Sequence, residues 1–244
     1  MDRDWTDFSA RKDYTYQEHT ETRRLNRNGG VEHSESQTRE VLMLAGRPYE
    51  KLIARDGKPL SERGAAKEQR KLDQELVRRQ NESAADRAKA EKARSEDRRF
   101  IHELPNAFDF RLEGTETVSG QPVWVIRAEP RPGFKPANKQ AKMFQKVRAR
   151  IWIEQQTYHW VKADADVLET LSFGLGLVRI AKGATVHFEQ THVNNEIWLP
   201  AIAQVRGEAS LALVKRVRAE IDVKYSGYQK FQSESRMTGF SESQ

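Results

Sequence analysis

The segment Val147-Arg148-Ala149-Arg150-Ile151-Trp152-Ile153-Glu154 decides the fold, because it predicts a β-strand that is followed at once by a turn and a second strand. Its β-branched and aromatic residues suit a pleated sheet. Gln155-Gln156 is the turn, and residues 158–163 are the second strand. Only antiparallel strands can be joined by so short a turn, since parallel strands need a crossover of about a dozen residues. The segment therefore predicts an antiparallel sheet.

The same spacing of strands and turns continues over residues 107–235. The predicted strand segments cover residues 108–112, 123–128, 147–154, 158–163, 168–180, 184–193, 197–206 and 209–223. Turn residues separate several of them, as at Lys182-Gly183 and Asn194-Asn195. Gly174 and Gly176 interrupt one strand and indicate a bend. This part of the chain is predicted to be an antiparallel meander.

Two zones of different composition precede the meander. Residues 10–60 predict N-terminal strands, with turns at Asn28-Gly29-Gly30 and Asp56-Gly57. Residues 61–104 predict a charged helical insertion, because strong helix formers dominate them and Ser61 is a suitable N-cap. We expect one domain over residues 1–244. Its fold class is α+β, mainly antiparallel β, with about 8–11 strands in a curved sheet or barrel.

The composition excludes several classes of function. The 244 residues include no cysteine, which rules out disulfides, zinc–thiolate sites and thiol catalysis. No apolar run approaches the ~18 residues of a membrane-spanning helix. The polar start Met1-Asp2-Arg3-Asp4-Trp5 predicts that this chain carries no signal peptide. The net charge is only +6 in a chain that is 32% charged, and acids interleave with the bases, so nucleic acid ranks last among the expected partners.

The search for catalytic chemistry is negative. No HExxH, GxSxG, Walker-type or EF-hand pattern occurs. Asp164 and Asp166 share a face if their segment is extended, yet a solvated turn explains them better than a general acid–base pair. His187 and His192 fall on opposite faces of a predicted strand and do not converge on a metal. We predict no enzyme, no catalytic residues, no metal site and no cofactor.

Large apolar side chains on the strands are the main functional signal. Trp124 and Ile126 fall on one face of their strand, and Val123 and Val125 fall on the other. Strands that are apolar on both faces must be covered on both sides, which this sheet can achieve only by curling. Each such residue packs in a plain core or lines a cavity for an apolar ligand. The residues predicted to bind the ligand are Trp124, Ile126, Ile151, Ile153, Phe188, Trp198, Leu211 and Leu213.

The order of these elements resembles the outer-membrane lipoprotein-sorting (LolA/LolB-like) superfamily of bacterial envelope proteins. The resemblance covers residues 107–235 best and residues 14–60 loosely. Its motifs are Val123-Trp124-Val125-Ile126, Arg150-Ile151-Trp152-Ile153-Glu154-Gln155-Gln156-Thr157, Asn195-Glu196-Ile197-Trp198-Leu199-Pro200 and Tyr225-Ser226-Gly227-Tyr228-Gln229-Lys230-Phe231. The resemblance implies an unclosed, strongly curved half-barrel with the helical insertion packed at its open side. It also implies a hydrophobic cavity for acyl chains, in a periplasmic protein whose export signal has been removed.

Two functions follow as hypotheses. In the first, the chain is a non-catalytic cell-envelope protein that binds lipid or lipoprotein acyl chains in the half-barrel, while basic residues meet a headgroup or an anionic membrane surface. In the second, it is a structural or interaction module whose long charged helix docks an envelope protein partner.

Overall fold

The computed structural model describes residues 14–173, 178–211 and 215–230. The strands are β1 Tyr14–Leu25, β2 Val31–Leu44, β3 Arg47–Arg55, β4 Lys58–Pro59, β5 Phe108–Val118, β6 Gln121–Pro130, β7 Val147–Glu154, β8 Trp160–Val167, β9 Leu171–Phe173, β10 Val178–Ile180, β11 Thr185–Val193, β12 Ile197–Leu211 and β13 Lys215–Lys230. The helices are α1 Glu62–Gln80, α2 Ala84–Arg98 and α3 Leu104–Ala107, with 3₁₀ segments at Arg99–Glu103 and Gln140–Lys146.

The strands form one antiparallel sheet that does not close. Its order is β4-β3-β2-β1-β13-β12-β11-β8-β7-β6-β5, and the short β10 pairs with β12 and with β9. Within the described ranges β4 and β5 are the two end strands of this order, and the three-residue β9 pairs with β10 alone. The helical insertion connects these two edges along the chain. The predicted fold class, an open half-barrel with helices at its open side, is confirmed.

β-Bulges supply the bend in the sheet. The strand register shifts between Leu112 and Gly114 in β5, between Trp152 and Ile153 opposite β8, and between Glu189 and Gln190 opposite β12. Each bulge bends its strand and increases the local twist. The bend predicted at Gly174 and Gly176 lies outside the described residues.

Gly207 marks a place where two segments of backbone come close together. Its φ is +153°, and a Cβ atom at this position would lie 2.5 Å from the Cβ of Ala184 and 2.8 Å from its Cα. Any larger residue would push the segment before β11 away from β12. Only glycine fits here because it lacks the Cβ atom.

A buried arginine fixes α1 to the β2–β3 hairpin. The guanidinium of Arg79 donates hydrogen bonds to the carbonyl oxygens of Leu44, Arg47 and Pro48 at 3.0, 2.8 and 3.1 Å. The helix begins as predicted at Ser61, whose side chain accepts a hydrogen bond from the backbone N–H of Gly64. Most other side chains of α1 are exposed or half-buried, as expected for a charged helix that is solvated along its length.

No helix in residues 14–173, 178–211 and 215–230 combines the length and the apolar character that a membrane crossing requires.

Candidate functional site

The strand register places a continuous row of apolar residues across the sheet from β5 to β13. Residues that are paired directly across neighbouring strands lie on the same face. The row consists of Leu112, Ile126, Ile151, Ala163, Phe188, Ala203 and Val223. The row therefore crosses seven neighbouring strands without a polar residue.

A second apolar row runs beside the first and lies two residues away from it on each strand. It consists of Phe110, Ala128, Ala149, Ala165, Val186, Val205 and Ile221. We call the surface made by the two rows the apolar face. It ends at β1, where Thr20 and Thr22 take the corresponding positions.

The residues between these two rows point to the opposite side and are polar. That intervening row consists of Arg111, Arg127, Arg150, Asp164, His187, Gln204, Asp222 and Glu21. A further row on the same side consists of Arg148, Asp166, Thr185, Arg206, Glu220 and Arg23. We call this side the charged face. The sheet is thus amphipathic, as antiparallel sheets with one solvated side commonly are.

Ion pairs between strands neutralise much of the charged face. Asp222 accepts hydrogen bonds from Arg23 and Arg206 at 2.5 Å each and from Gln204 at 2.7 Å. Burial alone would raise the pKa of Asp222. The hydrogen bond from Arg206 and the positive charges of Arg206 and Arg23 outweigh burial, and the pKa is lowered.

The sequence analysis placed Asp164 and Asp166 in a solvated turn. That prediction was wrong, because both residues lie within β8. Asp166 accepts a hydrogen bond from Arg148 at 2.8 Å, and Asp164 lies 2.5 Å from Nδ1 of His187. Both carboxylates are therefore cross-strand partners on the charged face, and both are about half-exposed.

Among the residues that the structure describes, helical segments cover the apolar face at β5–β7. Ala128 is buried with Phe108, Phe144 and two alanines of α3 and the 3₁₀ segment Gln140–Lys146, and Ile151 packs against this cluster. Farther across the sheet the two rows remain only half-buried. These half-buried residues are Ala163, Ala165, Val186, Phe188, Ala203, Val205, Ile221 and Val223. This uncovered section is the candidate functional site.

Aromatic rings on and beside β6, β8 and β11 enlarge the apolar face. The rings of Trp160 and Phe188 lie 5.0 Å apart, and those of Trp124 and Tyr158 lie 5.5 Å apart. Ile153 pairs with both Trp124 and Trp160, which places these side chains on the same side. Tyr158 remains 65% exposed at the border of this group.

Five of the eight predicted ligand-binding residues come together on the apolar face. Trp124 pairs with Ile153, and Ile126 pairs with Ile151. Phe188 joins them through Ala163 of β8. The sequence predicted that Trp124 and Ile126 share a face, and the register adds that the two isoleucines of β7 lie beside them.

The remaining three predicted residues are placed differently. Trp198 is 6% exposed and packs with Trp152, Val123 and Val125 in a separate cluster. Leu211 is the last residue of β12, and only its backbone is described. Leu213 lies outside the described residues. The strands were expected to be apolar on both faces. On the side opposite the apolar face this holds for the Trp198 cluster, and most of the rest of that side is charged.

The sequence analysis missed the small and β-branched residues of the uncovered section. Alternating segments carry the missing signal, as in Ala163-Asp164-Ala165-Asp166 of β8 and Ile221-Asp222-Val223-Lys224 of β13. An alternation of apolar and polar residues over such a run indicates a half-buried strand. Alanine adds little apolar bulk, so a search for large side chains passes over it.

In the residues that the structure describes, no group of three or more His, Asp or Glu side chains is arranged to hold a metal ion.

Solved structures of three bacterial proteins are among those to which this chain is similar. A DUF1329 family protein from Desulfovibrio piger has 14% identity and a TM-score of 0.34, over 96% of this chain and 94% of that chain. A putative outer membrane lipoprotein-sorting protein domain from Vibrio parahaemolyticus has 10% identity and a TM-score of 0.33, over 96% and 93%. A LolA superfamily protein from Nitrosomonas europaea has 10% identity and a TM-score of 0.31, over 95% and 94%.

Two of these three belong by description to the superfamily that the sequence resembles. No family model matches the chain, and no curated protein matches it.

Proposed function

We propose that the protein binds an acyl chain of a lipid or lipoprotein on its apolar face and acts as a non-catalytic carrier or sorting protein of the cell envelope. The observation that carries the proposal is the uncovered section of the apolar face, where Val186, Phe188, Ile221 and Val223 remain half-buried. Contiguous apolar surface that remains accessible to solvent often marks a binding site. The periplasm is the proposed compartment.

The energetics suit an acyl chain. Each buried methylene contributes about 0.8 kcal/mol, so a chain of about 14 carbons gains roughly 10 kcal/mol before the cost of ordering it. The backbone N–H and C=O groups beneath the apolar face are paired within the sheet, so they do not require water there. Phe188 has the small side chains of Ala163 and Ala203 directly opposite it on the two neighbouring strands.

The charged face suits such a ligand poorly. Several of its arginines are engaged with carboxylates, as Arg206 is with Asp222 and Arg150 is with Glu113 at 2.7 Å. A ligand that bound there would have to break these pairs. An anionic headgroup or membrane would instead meet the excess basic residues of a chain with a net charge of +6.

Adjacent residues of β11 provide a matched test. Val186 belongs to the apolar face and Thr185 to the charged face. Purified protein is examined by native mass spectrometry for bound lipid and by displacement of a fluorescent fatty acid. We expect Val186→Asp to weaken binding at least about tenfold, because the acyl chain would desolvate a carboxylate, and Thr185→Asp to leave it unchanged. Absence of lipid and of fatty-acid binding in the unmodified protein would reject the proposal.

A second function is supported by the exposure of α1. Val77 is 54% exposed on this helix, and most of its charged residues face solvent. We propose as the alternative that α1 docks an envelope protein partner. Replacing the exposed Arg63, Lys67 and Arg70 by Glu keeps the Arg79 anchor and should abolish pull-down of that partner, whereas an unchanged pull-down rejects the alternative.

A further inference from the structure

One edge of the sheet is long, exposed and partly apolar. β5 runs over 11 residues and, within the described ranges, pairs only with β6. Phe110 and Leu112 are 49% and 60% exposed on it. Proteins usually shorten or cover such an edge because its unpaired backbone groups can join another strand. The opposite edge follows this rule, since β4 has two residues and contains Pro59.

We propose that β5 pairs antiparallel with β5 of a second copy of this chain, with Phe110 opposite Phe110 of the other copy. The bulge between Leu112 and Gly114 divides β5 into two parts that each keep an unbroken register with β6, Phe108–Leu112 and Gly114–Val118. Phe110 is the midpoint of the first part, and a two-fold axis there uses that whole part and stops before the bulge on both copies. An axis at Glu116, the midpoint of the second part, would oppose two glutamates.

The charges of β5 support this register. With Phe110 at the axis, Arg111 of each copy lies opposite Asp109 of the other, and Leu112 lies opposite Phe108. Asp109 also accepts a hydrogen bond from Arg131 of its own chain at 2.7 Å, so Arg111 would join an existing ion pair. Opposite charges in directly opposed positions stabilise a strand pair, and like charges destabilise it. Moving the axis to Arg111 would oppose the two Arg111 side chains, and moving it to Leu112 would place Phe110 opposite Gly114 at the bulge.

Pairing at this edge would also join the two apolar faces. Phe110 and Leu112 are the β5 members of the two apolar rows. In the dimer their exposed rings and methyl groups would meet those of the second copy instead of water. The proposed dimer does not depend on the proposed acyl-chain binding.

Single cysteines test the register directly, because the chain contains no cysteine. Residues opposite each other in a strand pair have Cβ atoms about 5 Å apart, within reach of a disulfide after small adjustment. We expect Phe110→Cys to form a disulfide-linked dimer under mild oxidation much faster than Arg111→Cys. Tyr158→Cys is the control for exposure, since Tyr158 is 65% exposed and lies away from β5. Equal rates for the three variants, or a faster Arg111→Cys, would overturn the proposal.

Two charge reversals test the same pairing without oxidation. In the R111D protein two aspartates would face each other across the axis, and in the D109R protein two arginines would, so sedimentation should show both as monomers while the unmodified protein dimerises. Mixing the two variants should restore a dimer, because every opposed pair is then Asp with Arg. Circular dichroism establishes that each variant is folded. A monomeric unmodified protein, dimeric single variants or a mixture that stays monomeric would each contradict the proposal.

Discussion

The apolar face and the charged face are made by the same strands, yet they are completed in different ways. On the charged face, each strand supplies partners to its neighbour, as Arg148 does to Asp166 and Arg206 does to Asp222. On the apolar face, helical segments cover the β5–β7 end and leave Val186, Phe188 and Ile221 half-buried. The face whose contacts are complete within the chain is expected to contribute to stability, and the face whose contacts are incomplete is expected to bind a ligand.

The largest expected effect is on stability, and it compares a tryptophan in a buried cluster with one on the half-buried apolar face. Trp152 is 4% exposed and packs with Val123, Val125 and Trp198. Trp152→Ala should lower the free energy of unfolding by about 3–5 kcal/mol in a urea titration, because it leaves a cavity in a packed cluster. Trp124→Ala, on the half-buried apolar face, is the control and should cost clearly less. Equal losses would show that the two faces are equally packed.

The next effect tests the ion pairs of the charged face. Asp222→Ala removes the carboxylate that Arg23, Arg206 and Gln204 share. We expect a loss of about 1–3 kcal/mol in the free energy of unfolding, because the two arginines lose the carboxylate that they share and, among the described residues, keep only Glu220 as an ion-pair partner. Asp164→Ala should change stability by about 0.5 kcal/mol or less, since that side chain is 45% exposed. Similar losses in both variants would contradict a shared role for Asp222.

A smaller effect concerns ligand affinity. Phe188 and His187 are neighbours on β11 that point to the apolar and the charged face. Phe188→Ala should weaken fatty-acid binding about tenfold, which corresponds to about 1.4 kcal/mol, through loss of apolar contact. His187→Ala should leave the affinity unchanged in the same displacement titration. A larger loss of affinity in His187→Ala than in Phe188→Ala would indicate that the ligand binds on the charged face.

The smallest effect lies in α1, away from both faces. Hydrogen bonds from Arg78 and Arg79 lower the pKa of Glu75 from 4.5 to about 2. Because the folded protein favours the charged carboxylate, its contribution is complete above pH 4.5 and is lost as the pH falls towards 2. Stability measured by urea titration should therefore fall less steeply over this range in Glu75→Gln. Equal slopes in the two proteins would show that Glu75 does not contribute.

Much of the fold could be predicted because it depends on local pattern. Alternating residues and short turns predicted the antiparallel meander, and the turn at Asp56-Gly57 indeed joins β3 to β4. The composition of residues 61–104 predicted the helical insertion, and Ser61 caps its first helix. The extent of one domain over residues 1–244 stays a prediction.

The candidate site could be predicted only in part, because it depends on register between distant strands. Pairs such as Phe188 with Ala163 and Ala203 with Val223 depend on where two strands meet in register, and no local pattern marks that position. The pairing of β1 with β13 joins the two ends of the described chain. Arg79 was also missed as an anchor, since a helical arginine in a charged segment gives no sign that three backbone carbonyls surround it.

The most direct test maps where an acyl chain touches the protein. A fatty acid carrying a photoactivatable diazirine is bound, irradiated and located by peptide mass spectrometry. The adducts are predicted on the apolar face, above all at Val186, Phe188, Ile221 and Val223. Adducts confined to the charged face, or none above the level seen in Val186→Asp, would contradict acyl-chain binding on the apolar face.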